Sequence, residues 1–137
     1  MSAAPSRQRN GVPAVNIETA LKEAMGIEGA IGVALVDYTS GLTLGVLGGG
    51  QTMDMNIAAA GNTDVIRAKV RTLEMLGLQD GIEDILITLD SQYHLIRLLQ
   101  NKRHGESFFL YVSLDKTRAN LGLARHQLRK IERDLDV

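Results

Sequence analysis

The sequence has no cysteine and no tryptophan, and only two prolines in 137 residues. The missing thiols exclude a disulfide framework, a thiolate metal site and a cysteine nucleophile. Aromatic residues make up 4% of the chain, so a core must be aliphatic, and stacking platforms for single-stranded nucleic acid are scarce. No apolar run approaches the ~18 residues of a membrane span. Neither sign of charge dominates, with 15 Lys and Arg against 16 Asp and Glu. The resulting net charge of −1 argues against broad electrostatic attraction to nucleic acid or anionic membranes. Arg7 and Arg9 are not followed by an apolar stretch, so the N-terminus is not a signal peptide. These absences suit a cytoplasmic address.

What is present is an ordinary globular balance, 45% apolar and 23% charged, at a length that fits one domain. Residues 1–15 are rich in Ala, Ser, Gly, Pro and Arg and read as a flexible tail; the domain spans 16–137. Asn16 is placed to cap a helix in which Ile17, Ala20, Leu21 and Ala24 share a face, with Gly26 ending it in a left-handed conformation. Ala30–Asp37 reads as a strand apolar on both faces, hence covered on both. Tyr38–Gly41 is a turn, and Leu42–Leu47 returns as the second strand. Gly48, Gly49 and Gly50 then release the chain. A long helix over Asp54–Leu76 ends at Gly77. Three more strands follow, at Ile82–Leu89, Tyr93–Leu99 and Ser107–Leu114, with a loop at Asn101–Glu106. Asp115 or Thr117 can cap a last helix, whose Leu121, Ala124, Leu128, Ile131 and Leu135 form a core-facing stripe. The order is α-β-β-α-β-β-β-α. Short links between consecutive strands imply an antiparallel sheet flanked by helices, an α+β three-layer sandwich.

The long helix carries two apolar faces. At about 100° per residue, Met55, Ala58, Ala59, Val65, Ile66, Val70, Leu73 and Leu76 share the broad face expected on the sheet. Ile57, Gly61, Ala68 and Met75 fall roughly opposite, where a monomer's surface helix should be polar. The small Gly61 and Ala68 would let another backbone approach. This strip reads as a contact with a second subunit, with Thr63, Arg67, Arg71 and Glu74 as a polar rim.

A search for chemistry finds little. The Gly45–Gly50 run lacks the Lys-Ser/Thr pair of a phosphate loop and is followed by Gln51 and Thr52. His94, His104 and His126 have no partner at helical metal-ligand spacing. No Gly-x-Ser-x-Gly elbow occurs. Glu83 and Asp84 are adjacent, so on a strand they point to opposite faces and make no acid/base pair. The basic residues Arg125, Arg129, Lys130 and Arg133 are interleaved with or followed by acids, the pattern of a solvated helix face. No catalytic residue, metal site or cofactor is expected.

The run Phe108-Phe109-Leu110-Tyr111-Val112-Ser113-Leu114-Asp115, followed by Ala119-Asn120-Leu121-Gly122-Leu123-Ala124-Arg125, resembles the last strand and helix of Roadblock-domain proteins. Ile82–Leu99, with Tyr93-His94-Leu95-Ile96, is similar to their middle hairpin, and Gly32–Leu42 to their first. The resemblance covers roughly Ile17 to Leu135. It implies a Roadblock/profilin-like fold and a homodimer or heterodimer. In that dimer the third strand, with Ile85, Leu86 and Ile87, pairs across a two-fold axis, and the middle helices pack through Ile57, Gly61, Ala68 and Met75. It further implies a non-catalytic module that regulates or scaffolds a small Ras-like GTPase, with Thr63, Arg67, Arg71 and Glu74 as the candidate partner-binding residues. The family shares no catalytic residue to carry over. A PAS- or GAF-like small-molecule sensor and a plain scaffold without a GTPase are the competing readings; a sensor needs a cavity lined by a few polar groups.

Overall fold

The computed structural model describes residues 16–100 and 107–135, and the backbone of two short strands before them. Those strands, β1 (Gln8–Arg9) and β2 (Val12–Pro13), form an isolated antiparallel pair. The expected tail at 1–15 otherwise lies outside the described residues, as does the expected loop at Asn101–Glu106. The main body runs α1 (Ile17–Met25), β3 (Ala30–Asp37), β4 (Thr43–Gly48), α2 (Met55–Leu76), β5 (Asp84–Thr88), β6 (Gln92–Leu98), β7 (Phe108–Asp115) and α3 (Leu121–Asp134). This is the α-β-β-α-β-β-β-α order read from the sequence.

The five strands form one sheet in the order β4-β3-β7-β6-β5. Every neighbouring pair is antiparallel. Strand alternation then sorts side chains into two cores. Val33, Leu35, Leu95, Leu110, Val112 and Leu114 face α1 and α3, where Ala20, Leu21, Ala24, Ala124, Leu128 and Ile131 meet them. Ala34, Val36, Ile96, Leu98, Phe109 and Tyr111 face α2, against Met55, Ala59 and Ile66. The central strands β3 and β7 are therefore apolar on both sides, as the unbroken apolar run of Ala30–Val36 requires. Each fully buried Leu or Ile contributes about 1.5–3 kcal/mol of burial.

Helix ends follow local chemistry, with two departures from expectation. Asn16 Oδ1 accepts the Thr19 amide at 2.9 Å, and Asp54 Oδ1 accepts from Asn56 and Ile57. Gly77 closes α2 in the left-handed region, φ 72°. Gly26, however, stays right-handed at φ −77°, and the positive angle falls at Gly29, φ 88°. There the backbone passes against Ala119, close enough that a Cβ would lie 3.2 Å from its nitrogen. The last helix is capped by neither Asp115 nor Thr117. Asp115 instead bonds the amide and hydroxyl of Thr117 in a turn, and Asn120 Oδ1 accepts the Leu123 amide at 3.0 Å.

Two ion pairs fix α3 over the β5–β6 end of the sheet. Arg97 on β6 is 9% exposed, and its Nε donates to Glu132 Oε1 at 2.8 Å. Glu132 Oε2 accepts the Gln100 amide at 2.6 Å. Arg125 grips Asp84 on β5 with two bonds, of 3.0 and 3.2 Å. Asp84 and Arg97 are themselves cross-strand partners. Glu83, expected on the strand with Asp84, is exposed and lies one residue before β5 begins.

Candidate partner-binding face

Helix α2 presents three kinds of surface around its axis. The inward side is Met55, Ala59, Asn62, Thr63 and Ile66, all buried. Two sheet-facing expectations fail here: Val65 is 37% and Leu76 is 64% exposed. At 3.6 residues per turn both fall on the outward strip instead, beside Gly61, Ala68 and Thr72. That strip is wider and more apolar than the sequence suggested. It includes Ile57 and Met75, at 71% and 74% exposure.

The strip borders the sheet's open end. β5 is the terminal strand, so its outer backbone edge has no strand partner among the described residues. Between it and α2 lies an open groove of about 640 Å³, lined by Val65, Ala68, Lys69, Thr72, Ile82, Asp84 and Ile85. Ile85 and Ile87 pack on the α2 side of the sheet, whereas Leu86 points the other way into the α1/α3 core. The structure thus brings Ala68 and Ile85 together at one groove, with Ile87 on the same face. Leu86 can take part in a contact there through its backbone alone.

The proposed rim divides. Thr63 is 3% exposed and its hydroxyl donates to the Ala59 carbonyl at 2.9 Å. It lies under the helix and is not available on a rim, which corrects the expectation. Arg67, Arg71 and Glu74 do sit together, lining a shallow depression with Tyr38, Thr39 and Val70. Arg67 is held in place by the fold, since its Nε donates to the Tyr38 carbonyl at 2.7 Å and its Nη2 to that of Thr39 at 2.9 Å. It ties the β3–β4 turn to α2. The same turn is braced by Asp37, whose Oδ1 accepts from Ser107 Oγ and the Thr39 amide. Burial works against ionisation of Asp37, but hydrogen bonds from Ser107, Thr39 and Ser40 outweigh it and hold its pKa below the usual value.

Beneath α2 lies a small polar group that sequence reasoning missed. The Tyr111 hydroxyl is buried and makes no hydrogen bond of regular geometry. Burial pushes its pKa up to about 12, partly offset by nearby Ser113 and Asn62. The His94 ring packs edge-on against Tyr111, centroids 5.4 Å apart. Its Nε2 lies 2.8 Å from Gln92 Oε1, and burial lowers its pKa. The signal in the sequence was Asn62 and Thr63 at inward helix positions. Among the described residues no cluster of His, Asp or Glu could hold a metal ion. At the glycine run, a Cβ on Gly48 would lie 2.6 Å from the Ile31 carbonyl, so close backbone packing accounts for that residue.

No family model matches the sequence, and no curated protein matches it either. Solved structures do. A Roadblock/LC7 domain from Streptomyces avermitilis superposes with a TM-score of 0.71 at 12% identity, covering 87% of this chain and 93% of that one. The chain has the Roadblock fold. Myxococcus xanthus MglB gives a TM-score of 0.67 at 20% identity, with 85% of each chain covered. The gliding protein MglB of Thermus thermophilus gives 0.61 at 18% identity, covering 85% of this chain and 87% of that one. In this Roadblock frame β5 is the third strand of the core order, and α2 is the middle helix.

Proposed function

We propose that this chain is a dimeric Roadblock-type interaction module that regulates or scaffolds a small Ras-like GTPase and has no catalytic site of its own. The observation that carries the reading is the apolar groove between α2 and the free edge of β5. Val65, Ala68, Ile82 and Ile85 make its lining mainly apolar, beside strand backbone that has no strand partner among the described residues. Such a combination invites pairing with another chain unless it is covered. A second copy covers both features at once. Antiparallel β5–β5 pairing extends the sheet, and the outward strips of the two α2 helices then meet through Gly61 and Ala68.

That arrangement supports a partner platform. The two-fold axis stands normal to the extended sheet, so both α2 helices lie on one face. Arg71 and Glu74 from each copy then stand outside the helix–helix contact, free to pair with charged groups of the GTPase. Rim charges of this kind govern association rate and partner choice more than total affinity. Arg67 contributes to that role less freely than Arg71, because its Nε and Nη2 already hold the turn. The Roadblock resemblance is what points to a Ras-like GTPase, and the chain's lack of a long apolar helix among the described residues is compatible with work in the cytoplasm.

The test is capture of the Ras-like GTPase of the same cell by purified wild-type protein and by Arg71→Glu with Glu74→Lys. Capture by wild type, lost in the variant at unchanged dimer mass, is the expected result. Failure of the wild type to retain any such GTPase contradicts the regulatory reading and leaves a plain scaffold.

A further inference from the structure

The near-zero net charge conceals a segregation of charge on the α1/α3 layer. On α3, His126, Arg129 and Arg133 recur at spacings of three and four and so share one outward side, with Lys130 next to it. All four are at least partly exposed. Of the acids at this end of α3, Glu132 faces inward to Arg97, while Asp134, half-buried, follows Lys130 by one turn at the margin of the stripe. No carboxylate pairs with Arg129 or Lys130 among the described residues. Leu123, one helical repeat before Lys130, is 46% exposed on the same flank. Helix α1 carries the opposite sign, with Glu18, Glu23 and the following Glu28 exposed against a single Lys22, which pairs with Glu18 at 3.8 Å.

We infer that the two α3 stripes of the dimer form one basic platform that docks the protein peripherally on an anionic lipid surface. This rests on the dimer proposed above. A two-fold axis normal to the sheet places both α3 helices on the face opposite the two α2 helices. The Arg97–Glu132 and Arg125–Asp84 pairs hold α3 over β5 and β6, the strands next to the axis. The two stripes therefore flank the dyad. Helix α1 packs on β3 and β4 and also meets α3 along one side, so its acids border each stripe on the side remote from the dyad and leave the dyad side to the cations. Clustering two stripes matters because each basic side chain held near an anionic leaflet adds attraction within a Debye length.

Lipid fits this surface better than nucleic acid does. The platform is a pair of outward helix sides with no aromatic residue for base stacking, and it presents Leu123 beside its cations, suited to a layer of phosphates over hydrocarbon. Docking by this face leaves the α2 platform pointing away from the bilayer and open to the GTPase.

The experiment is co-sedimentation of the full chain with phosphatidylcholine vesicles, with and without phosphatidylserine. Competing duplex DNA is added in a second arm, and light scattering is run on the same samples. Wild type should pellet with phosphatidylserine vesicles alone and be released by salt. Arg129→Glu with Lys130→Glu, four reversals per dimer, should lower partitioning by roughly a hundredfold or more. Arg129→Gln with Lys130→Gln should lower it less, at unchanged melting temperature, which separates charge from folding. Glu23→Lys should not weaken binding. Equal pelleting of wild type and the double reversal, no pelleting of wild type, or loss of vesicle binding to the DNA competitor each overturns the lipid assignment. A dimer mass without vesicle binding sinks the platform and spares the dimer. A monomer mass sinks the dimer, and with it the dyad platform.

Discussion

Removing the Glu132 carboxylate should be the most damaging single change at the α3–sheet junction. In Glu132→Ala, Arg97 keeps its charge at 9% exposure and loses the 2.8 Å bond to its Nε. Its Nη1 is already buried without a partner, so little remains to solvate the guanidinium. The Gln100 amide loses its 2.6 Å acceptor as well. Breaking one side of a buried ion pair costs about 3–5 kcal/mol, because the surviving charge is stranded. The more open Arg125–Asp84 pair provides the internal comparison: its side chains are 32% and 14% exposed. Arg125→Ala should cost less, about 1–2 kcal/mol for a charged hydrogen bond in a wetter setting. Replacing both buried partners, Arg97→Met with Glu132→Leu, should recover most of the loss, since paired apolar replacements are often neutral. Urea titrations followed by circular dichroism measure all three. A loss below about 1 kcal/mol for Glu132→Ala would refute the reasoning, because Arg97 would then have to be reaching water or another acceptor.

Tyr111→Phe should be neutral or stabilising by up to about 1 kcal/mol, because it deletes a buried hydroxyl that makes no regular hydrogen bond; a clear loss in thermal melts would show that the hydroxyl is in fact bonded. Burial lowers the folded pKa of His94 below the ordinary value of 6.5. The unfolded chain then binds the extra proton first, and its contribution to stability is intact above pH 6.5 and lost as pH falls toward the folded pKa. Urea midpoints should decline from about pH 7.5 to about 5.5, and less so in His94→Gln; equal slopes in the two proteins would contradict this. Arg67→Ala should free the Tyr38 and Thr39 carbonyls and speed amide exchange across residues 38–42 without changing the dimer mass; protection equal to wild type would remove Arg67 from its turn-holding role.

Much of the fold was legible because its signals are local. The apolar run of Ala30–Val36 marked a doubly covered strand, and Asn16, Asp54 and Gly77 marked helix ends by their own chemistry. The misplacements came from signals that depend on what packs above. Val65 and Leu76 are apolar enough to read as core, yet Asn62 and Thr63 took the inward positions. Asn62 lies near the Tyr111 hydroxyl and the Thr63 hydroxyl bonds the Ala59 carbonyl, so polar side chains are accommodated on the face that apolar content alone would have assigned to Val65 and Leu76. Gly26 was assigned a left-handed role that Gly29 performs, because the tight approach there comes from Ala119, distant in sequence. Asn120 rather than Asp115 caps α3, since Asp115 is occupied by Thr117. Helical spacing alone put Ile57, Gly61, Ala68 and Met75 on one outward side of α2, and all four are exposed there. That Ala68 would share a groove with Ile85, and that Arg67 would be tied to the β3–β4 turn, depends on long-range packing.

Sedimentation of the wild type beside Ala68→Glu tests the central claim most directly. Ala68 lies in the groove between α2 and β5, exposed in one copy and enclosed once a second copy covers it. A glutamate there would have to bury an unpaired charge in each subunit, at a cost of several kcal/mol. The account predicts that wild type sediments at twice its 14.9 kDa mass, while Ala68→Glu runs as a folded monomer with unchanged circular dichroism. A wild-type monomer, or a dimer that Ala68→Glu leaves intact, would contradict it.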